Sequence, residues 1–427
     1  MNFYAEKTST RSTIQTVKRA SLFQSLYSVS IALIPLLTLI HPIAGLDTSS
    51  FLMLLFAAYI LLRKLMQGNL LQINKEYAGL LLWCVYIVIT FTFGILLNTN
   101  NVGTAGAGAT FFQVLFILAH VIVAGEGEYR FSLIRKTVVF VSVLASAIVI
   151  IQTLTFYLSG RLINPIPYWM LNTNISNVYI HTANRVMSGL YRPSAFFLEP
   201  AHMAQYVSVG IAFLIYVPSE SRRKRDLVLA IMCSIALVLT TSGLGIATVF
   251  CIWLFYFQFS AASNPTTSRS RLRKNWLLID IVGIALLVII YNYLSRFAFF
   301  QSALGRVFTG QERSGAIWGR LSSFGIFTEL PLMSRIFGIG FGRESTTVFM
   351  TGLSSLLVQI GYVGTALFFY IIIKKLSRAQ NLTLCLGVLF LALFCLSDIY
   401  NFSQLTFYLI IIYASSKTIP LQSKSRV

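Results

Sequence analysis

Apolar stretches long enough to cross a bilayer recur along nearly the whole chain, and this limits the fold more than any other feature. They fall at about 22–40, 48–62, 77–97, 104–124, 131–158, 199–217, 227–241, 244–260, 276–294, 352–373, 381–397 and 401–415. Hydrophobic residues make up 56% of the chain and charged residues only 11%, with a mean hydropathy of +0.75. A soluble protein of this size carries about 25% charge, so these values predict an all-α, multi-pass membrane protein with about 12 transmembrane helices.

The formal net charge of +20 does not point to nucleic acid. The basic residues are scattered as short clusters between apolar runs instead of gathering in one domain. Cys84, Cys233, Cys251, Cys385 and Cys395 all fall within apolar runs without paired spacing. They read as small buried hydrophobes, not as disulfides or metal ligands. The first 20 residues carry charge but no cleavable signal pattern, so the first span is expected to act as the insertion signal.

Charge sets the expected orientation. With both termini cytoplasmic, all 11 lysines fall on the inner side, and so do 24 of the 33 basic residues. The other nine are all arginines: Arg161, Arg185, Arg192, Arg296, Arg306, Arg313, Arg320, Arg335 and Arg343. Lysine and arginine serve equally as cytoplasmic anchors, so an outer set of arginines alone suggests bidentate binding of phosphate or carboxylate. These nine lie in two long outer loops, at about 159–198 and 295–351, and long loops in compact proteins tend to be functional. The expected organisation is a cytoplasmic segment at 1–21, one membrane domain at 22–417 and a cytoplasmic tail at 418–427. A Ser/Thr/Arg-rich stretch at about 261–275 reads as a flexible cytoplasmic linker.

The run Arg192 to Tyr206, RPSAFFLEPAHMAQY, leads from the first loop into a span. Glu199-Pro200 is a helix-start pattern: proline suits the first turn, and the macrodipole favours a carboxylate there. Within that helix Glu199, His202 and Tyr206 stand at i, i+3 and i+7, on one face. Two readings stand side by side. Glu199 is an N-terminal charge and His202 a satisfied interfacial histidine, or one of them deprotonates an acceptor hydroxyl while Arg192 holds a phosphate. Ionisable groups in spans cost roughly 2.5–3.5 kcal/mol or more at the bilayer centre, which makes them functional candidates.

In the second loop Arg306, Arg313 and Arg320 recur every seven residues, on one side of a helix if one forms. Gly305, Gly310, Gly315 and Gly319 weaken a continuous helix, although two short ones would still let the arginines converge. Pairing with Glu312, Glu329 and Glu344, or contact with lipid head groups, is the simpler reading of any single arginine. Pro331 and the cluster Gly338, Gly340, Gly342 mark a tight turn where backbone approaches a ligand or another helix. No Asp-x-Asp pair, metal-ligand cluster, nucleophile elbow or phosphate-binding loop is recognisable, so metal-dependent and ATP-driven mechanisms are disfavoured. His41 and Asp47 read as turn residues, and His120 as a packed one.

These residues resemble the bacterial O-antigen and capsular polysaccharide polymerase family (the Wzy type), within the group that also contains the O-antigen ligases. The resemblance is carried by the R-P-S-x-F-x-E-P-x-x-x-A-Q-Y-like stretch at 192–206, and by Arg320-Leu321 followed by the Pro-Leu to Phe-Gly-x-Gly-Phe-Gly run at 331–342. Ligase-like relatives often carry a His-Asn pair ahead of the glycine that here looks like Gly361; this chain has Met350 and Thr351 there, which leans toward polymerase. The resemblance implies a GT-C-like glycosyltransferase in the bacterial cytoplasmic membrane, working at its outer face without cofactor or metal. It would join polyprenyl-diphosphate-linked oligosaccharide units, with membrane lipids, a flippase and a chain-length regulator as partners. Glu199 or His202 would then be the base. Arg192, Arg306, Arg313, Arg320 and Arg335, with Tyr206, would bind substrate, and Arg192, Arg313 and Arg320 would hold the diphosphate or an acidic sugar. A ligase and a lipid-linked oligosaccharide flippase are the alternatives.

Overall fold

The helices Pro200–Ile215 and Phe402–Lys417 occupy the centre, and the other helices pack around them. Fourteen of the 16 residues in the first are buried, and so is every residue from Leu405 to Ser415 in the second. A helix apolar all round belongs in a core of this kind. The computed structural model describes residues 22–37, 48–68, 75–97, 104–125, 127, 129–163, 165, 186–187, 190–216, 224–262, 296, 318–340, 350–377, 379–397 and 402–417.

In chain order the helices are α1 (Leu22–Leu37), α2 (Thr48–Met66), α3 (Ala78–Leu97), α4 (Thr104–Gly125) and α5 (Phe131–Ser159). After a short β-hairpin come α6 (Pro200–Ile215), α7 (Lys224–Leu239), α8 (Gly243–Ala262), α9 (Trp318–Glu329) and α10 (Leu332–Phe337). The chain closes with α11 (Gly352–Leu376), α12 (Asn381–Leu396) and α13 (Phe402–Lys417). These helices coincide with the expected apolar runs, save that the run at 276–294 lies outside the described residues and that α9 and α10 fall within the expected second outer loop.

Among the described residues, three helical segments are long and apolar enough to cross a membrane: Lys75–Thr92, Phe131–Ser159 and Gly352–Leu376. Shorter apolar helices, including α1, α6 and α12, pack among them. Large apolar side chains project outward, such as Phe140, Leu144, Ile151 and Leu154 along α5 and Val228, Ile231 and Ile235 along α7. Several polar side chains point inward instead, among them Ser142, Ser146, Gln152, Gln205 and Gln359. An apolar exterior over a partly polar interior suits lipid as the surrounding solvent. The chain is thus an all-helical membrane protein, its only strands among the described residues being two residues each. The cysteines are free, and Cys84, Cys233 and Cys385 are buried. Cys251 departs from the expectation of burial: it is exposed on α8.

One described span, α11, is interrupted within its length. At Gly361 the backbone turns to φ 66°, ψ −171° and the helix breaks into two halves. A break there frees carbonyls that lipid cannot satisfy, and each would cost several kcal/mol if left alone. The segment after α10 supplies the partners: Ile339 N–H donates to Val358 O and Gly340 N–H to Gln359 O, both at 3.0 Å. The backbones approach so closely that a Cβ on Gly361 would collide with Ile336 O, and one on Gly338 with Gln359 O. The glycine cluster approaches another helix here, one of the two alternatives its sequence left open.

Candidate functional site

The first candidate loop ends on a firm scaffold. Val186–Met187 pairs antiparallel with Leu190–Tyr191, and Tyr191 stacks on Phe156 of α5 with ring centroids 4.7 Å apart. Arg192 follows, half-buried, and then Pro193 and Ser194, both buried. Residues 194–197 form a tight turn in which Phe197 N–H donates to Ser194 O at 2.9 Å and Ser194 Oγ–H to Phe197 O at 2.7 Å. Ala195 sits in this turn at φ 50°, a left-handed conformation that costs a non-glycine residue about 1–2 kcal/mol. Its N–H donates to Oε1 of Gln152 at 3.0 Å. The same glutamine uses its Nε2–H to reach Ile163 O at 2.9 Å.

Glu199 is the N-cap of α6, with Pro200 in the first turn, as the helix-start pattern predicts. Its side chain is exposed and makes no capping hydrogen bond, so the helix does not consume the carboxylate. His202 is half-buried on the first turn. Tyr206, on the same face, lies in the core at 1% exposure, with its hydroxyl donating to Ala32 O at 2.7 Å. Ala32 precedes Pro35 in α1, in the turn whose ladder a proline interrupts, so Tyr206 ties α6 to a weakened turn. The Glu199-His202-Tyr206 face therefore runs from an exposed end into the interior.

The second candidate loop is described from α9 onward. Arg306 and Arg313 lie outside the described residues, as do Arg185, Arg343, Glu312, Glu344, His41 and Asp47. Arg320 falls in the first turn of α9, with its side chain outside the described set. Arg335 is half-buried in the last turn of α10, and its buried Nε has no hydrogen-bond partner among the described residues. Phe327, Met350 and Val358 form a small apolar cluster under α9 and α10, and Phe327 meets Tyr362 edge-on at 4.9 Å. Thr351 caps α11 in a reciprocal pair with Ser354.

One residue brings the two regions to the same end of the bundle. Ser397, at the end of α12, accepts at its hydroxyl from Gln205 of α6 and at its carbonyl from Gly352 N–H of α11, the latter at 2.7 Å. The starts of α6 and α11, and the ends of α5 and α12, thus share one end. His120 is buried with its ring 5.8 Å from Tyr77 and 6.4 Å from Tyr129, a packed histidine rather than a ligand. Among the described residues no group of three His, Cys, Asp or Glu side chains could hold a metal.

Compared with models of known protein families and with characterised proteins, the sequence matches none. The resemblance rests on the motif residues themselves. Sequence reasoning missed Gln152 and Ser397. The one available signal for Gln152 was an amide in an otherwise apolar helix, since a buried amide needs hydrogen-bond partners.

Proposed function

We propose that this chain is a membrane glycosyltransferase of the polysaccharide polymerase type. It joins polyprenyl-diphosphate-linked oligosaccharide units at the outer face of a bacterial cytoplasmic membrane. The observation that carries the reading is that Arg192 leads into a clamped turn and that an exposed Glu199 carboxylate, spent on no helix cap, stands seven residues on. The nine expected outer basic residues, arginine without exception, support it. So does the shared end of the bundle at which the two arginine-bearing loops meet the helices.

The chemistry follows from these groups. An acceptor sugar hydroxyl attacks the anomeric carbon of the donor glycan. Glu199, or His202 one turn on, takes the hydroxyl proton. The new glycosidic C–O bond forms as the bond between the anomeric carbon and the diphosphate oxygen breaks. Polyprenyl diphosphate leaves with the electron pair, and preorganised guanidinium groups stabilise its growing negative charge. About 12 spans with both termini cytoplasmic, and a GT-C-like plan, complete the proposal.

The size-resolved polysaccharide profile of cells lacking this gene tests it. Single repeat units still displayed at the surface are the expected result. Repeats trapped inside would instead mean a flippase, long polymer left on its lipid carrier a ligase, and an unchanged profile would defeat the family reading.

A further inference from the structure

We infer that Gln152 is a positioning residue that closes the first candidate loop and sets the place of Arg192. Gln152 is 1% exposed, within the last two turns of α5, and its single amide holds both ends of the loop. Nε2–H reaches Ile163 O, where the chain leaves α5, and Oε1 receives Ala195 N–H, where it returns. Because both bonds end on one amide group, Ile163 O and Ala195 N lie within about 8 Å of each other.

The residue type is dictated by the task. The loop ends offer one carbonyl and one N–H, and a neutral primary amide is the side chain that donates and accepts at once without burying a charge. One turn further along α5, Phe156 stacks on Tyr191. Arg192 is therefore bracketed on one side by the Phe156–Tyr191 stack and on the other by the Gln152–Ala195 bond. The bond also holds Ala195 in its left-handed conformation, so its loss frees the turn to relax to ordinary backbone angles and takes Arg192 with it. A bidentate guanidinium contact is sensitive to such displacement.

This inference rests on the proposed function only for the ligand that Arg192 meets. Two measurements on the full chain separate the parts. In the first, the five native cysteines are replaced by alanine, and Ile163→Cys and Phe196→Cys, the half-buried neighbour of the fully buried Ala195, are joined by a short bifunctional thiol reagent. Cross-linking should be efficient with Gln152 present and fall with Gln152→Met, a near-isosteric change that removes both hydrogen bonds. Undiminished cross-linking in Gln152→Met overturns the clamp.

In the second, undecaprenyl diphosphate is titrated against purified protein in nanodiscs. Arg192→Lys and Gln152→Met should each weaken binding about tenfold, and the double variant should be no weaker than the worse single one. Additive losses, or unchanged binding in Gln152→Met, overturn the positioning role even where the Arg192 effect stands. Absence of binding in the unaltered protein defeats the proposed function instead, and the cross-linking result then decides the clamp alone.

Discussion

Tyr86 and Ile360, 274 residues apart, meet at the break in α11, where the tyrosine hydroxyl donates to the Ile360 carbonyl at 3.2 Å. The same oxygen faces the N–H of Gly364, so one hydroxyl spans the helical hydrogen bond that the Gly361 turn removes. Together with the donors from Ile339 and Gly340, this satisfies three successive carbonyls next to the discontinuity. The break is a supported feature of the span, not a frayed one.

Tyr86→Phe should therefore lower stability by about 1–3 kcal/mol, the cost of stranding a carbonyl where water cannot reach it. Thermal unfolding of the purified protein in detergent measures this. An unchanged midpoint would show that the bridge contributes nothing.

Glycines that share a positive φ should respond very differently to alanine. Gly361→Ala and Gly338→Ala drive a methyl into opposing backbone and should abolish accumulation of folded protein. Gly68→Ala, also at positive φ but with open space around it, should cost only about 1–2 kcal/mol. Expression level and size-exclusion profile of the three variants decide the matter; equal tolerance at Gly361 and Gly68 would contradict the close packing.

Glu199→Gln and Tyr206→Phe should separate chemistry from structure. Glu199 is exposed and caps nothing, so its amide variant should fold normally while polymer formation drops at least about tenfold. Tyr206→Phe should instead lose about 1–3 kcal/mol of stability and keep making polymer, because its buried hydroxyl serves Ala32. Parallel melting curves and polysaccharide gels report both; normal polymer from Glu199→Gln would remove it from the mechanism and leave His202.

At the opposite end of α11, Lys375 pairs with Glu76 at 2.9 Å and lies 4.8 Å from the Tyr413 ring centroid. Glu76 is close to half exposed, so solvent screens the pair. Lys375→Met should cost no more than about 1 kcal/mol and leave activity intact. A loss of several kcal/mol would mean that this contact is desolvated in the bilayer.

The apolar helices, and the solvent they require, could be read from the sequence alone. Long apolar runs with little charge can bury their backbone polar groups only as helices in lipid, so α1, α5, α6 and α11 were legible from composition and length. The start of α6 was equally legible, because Glu199-Pro200 acts through local geometry alone. Tertiary structure decided whatever depends on pairs distant in the chain. Tyr206 shares a helical face with Glu199, but only the packing of α6 against α1 turns its hydroxyl inward to Ala32. Gln152 gives no local sign that it joins Ile163 to Ala195, and Ser397 none that it links Gln205 to Gly352. Periodicity reports which face of a helix a residue occupies, whereas a hydrogen bond between distant segments exists only after those segments have packed.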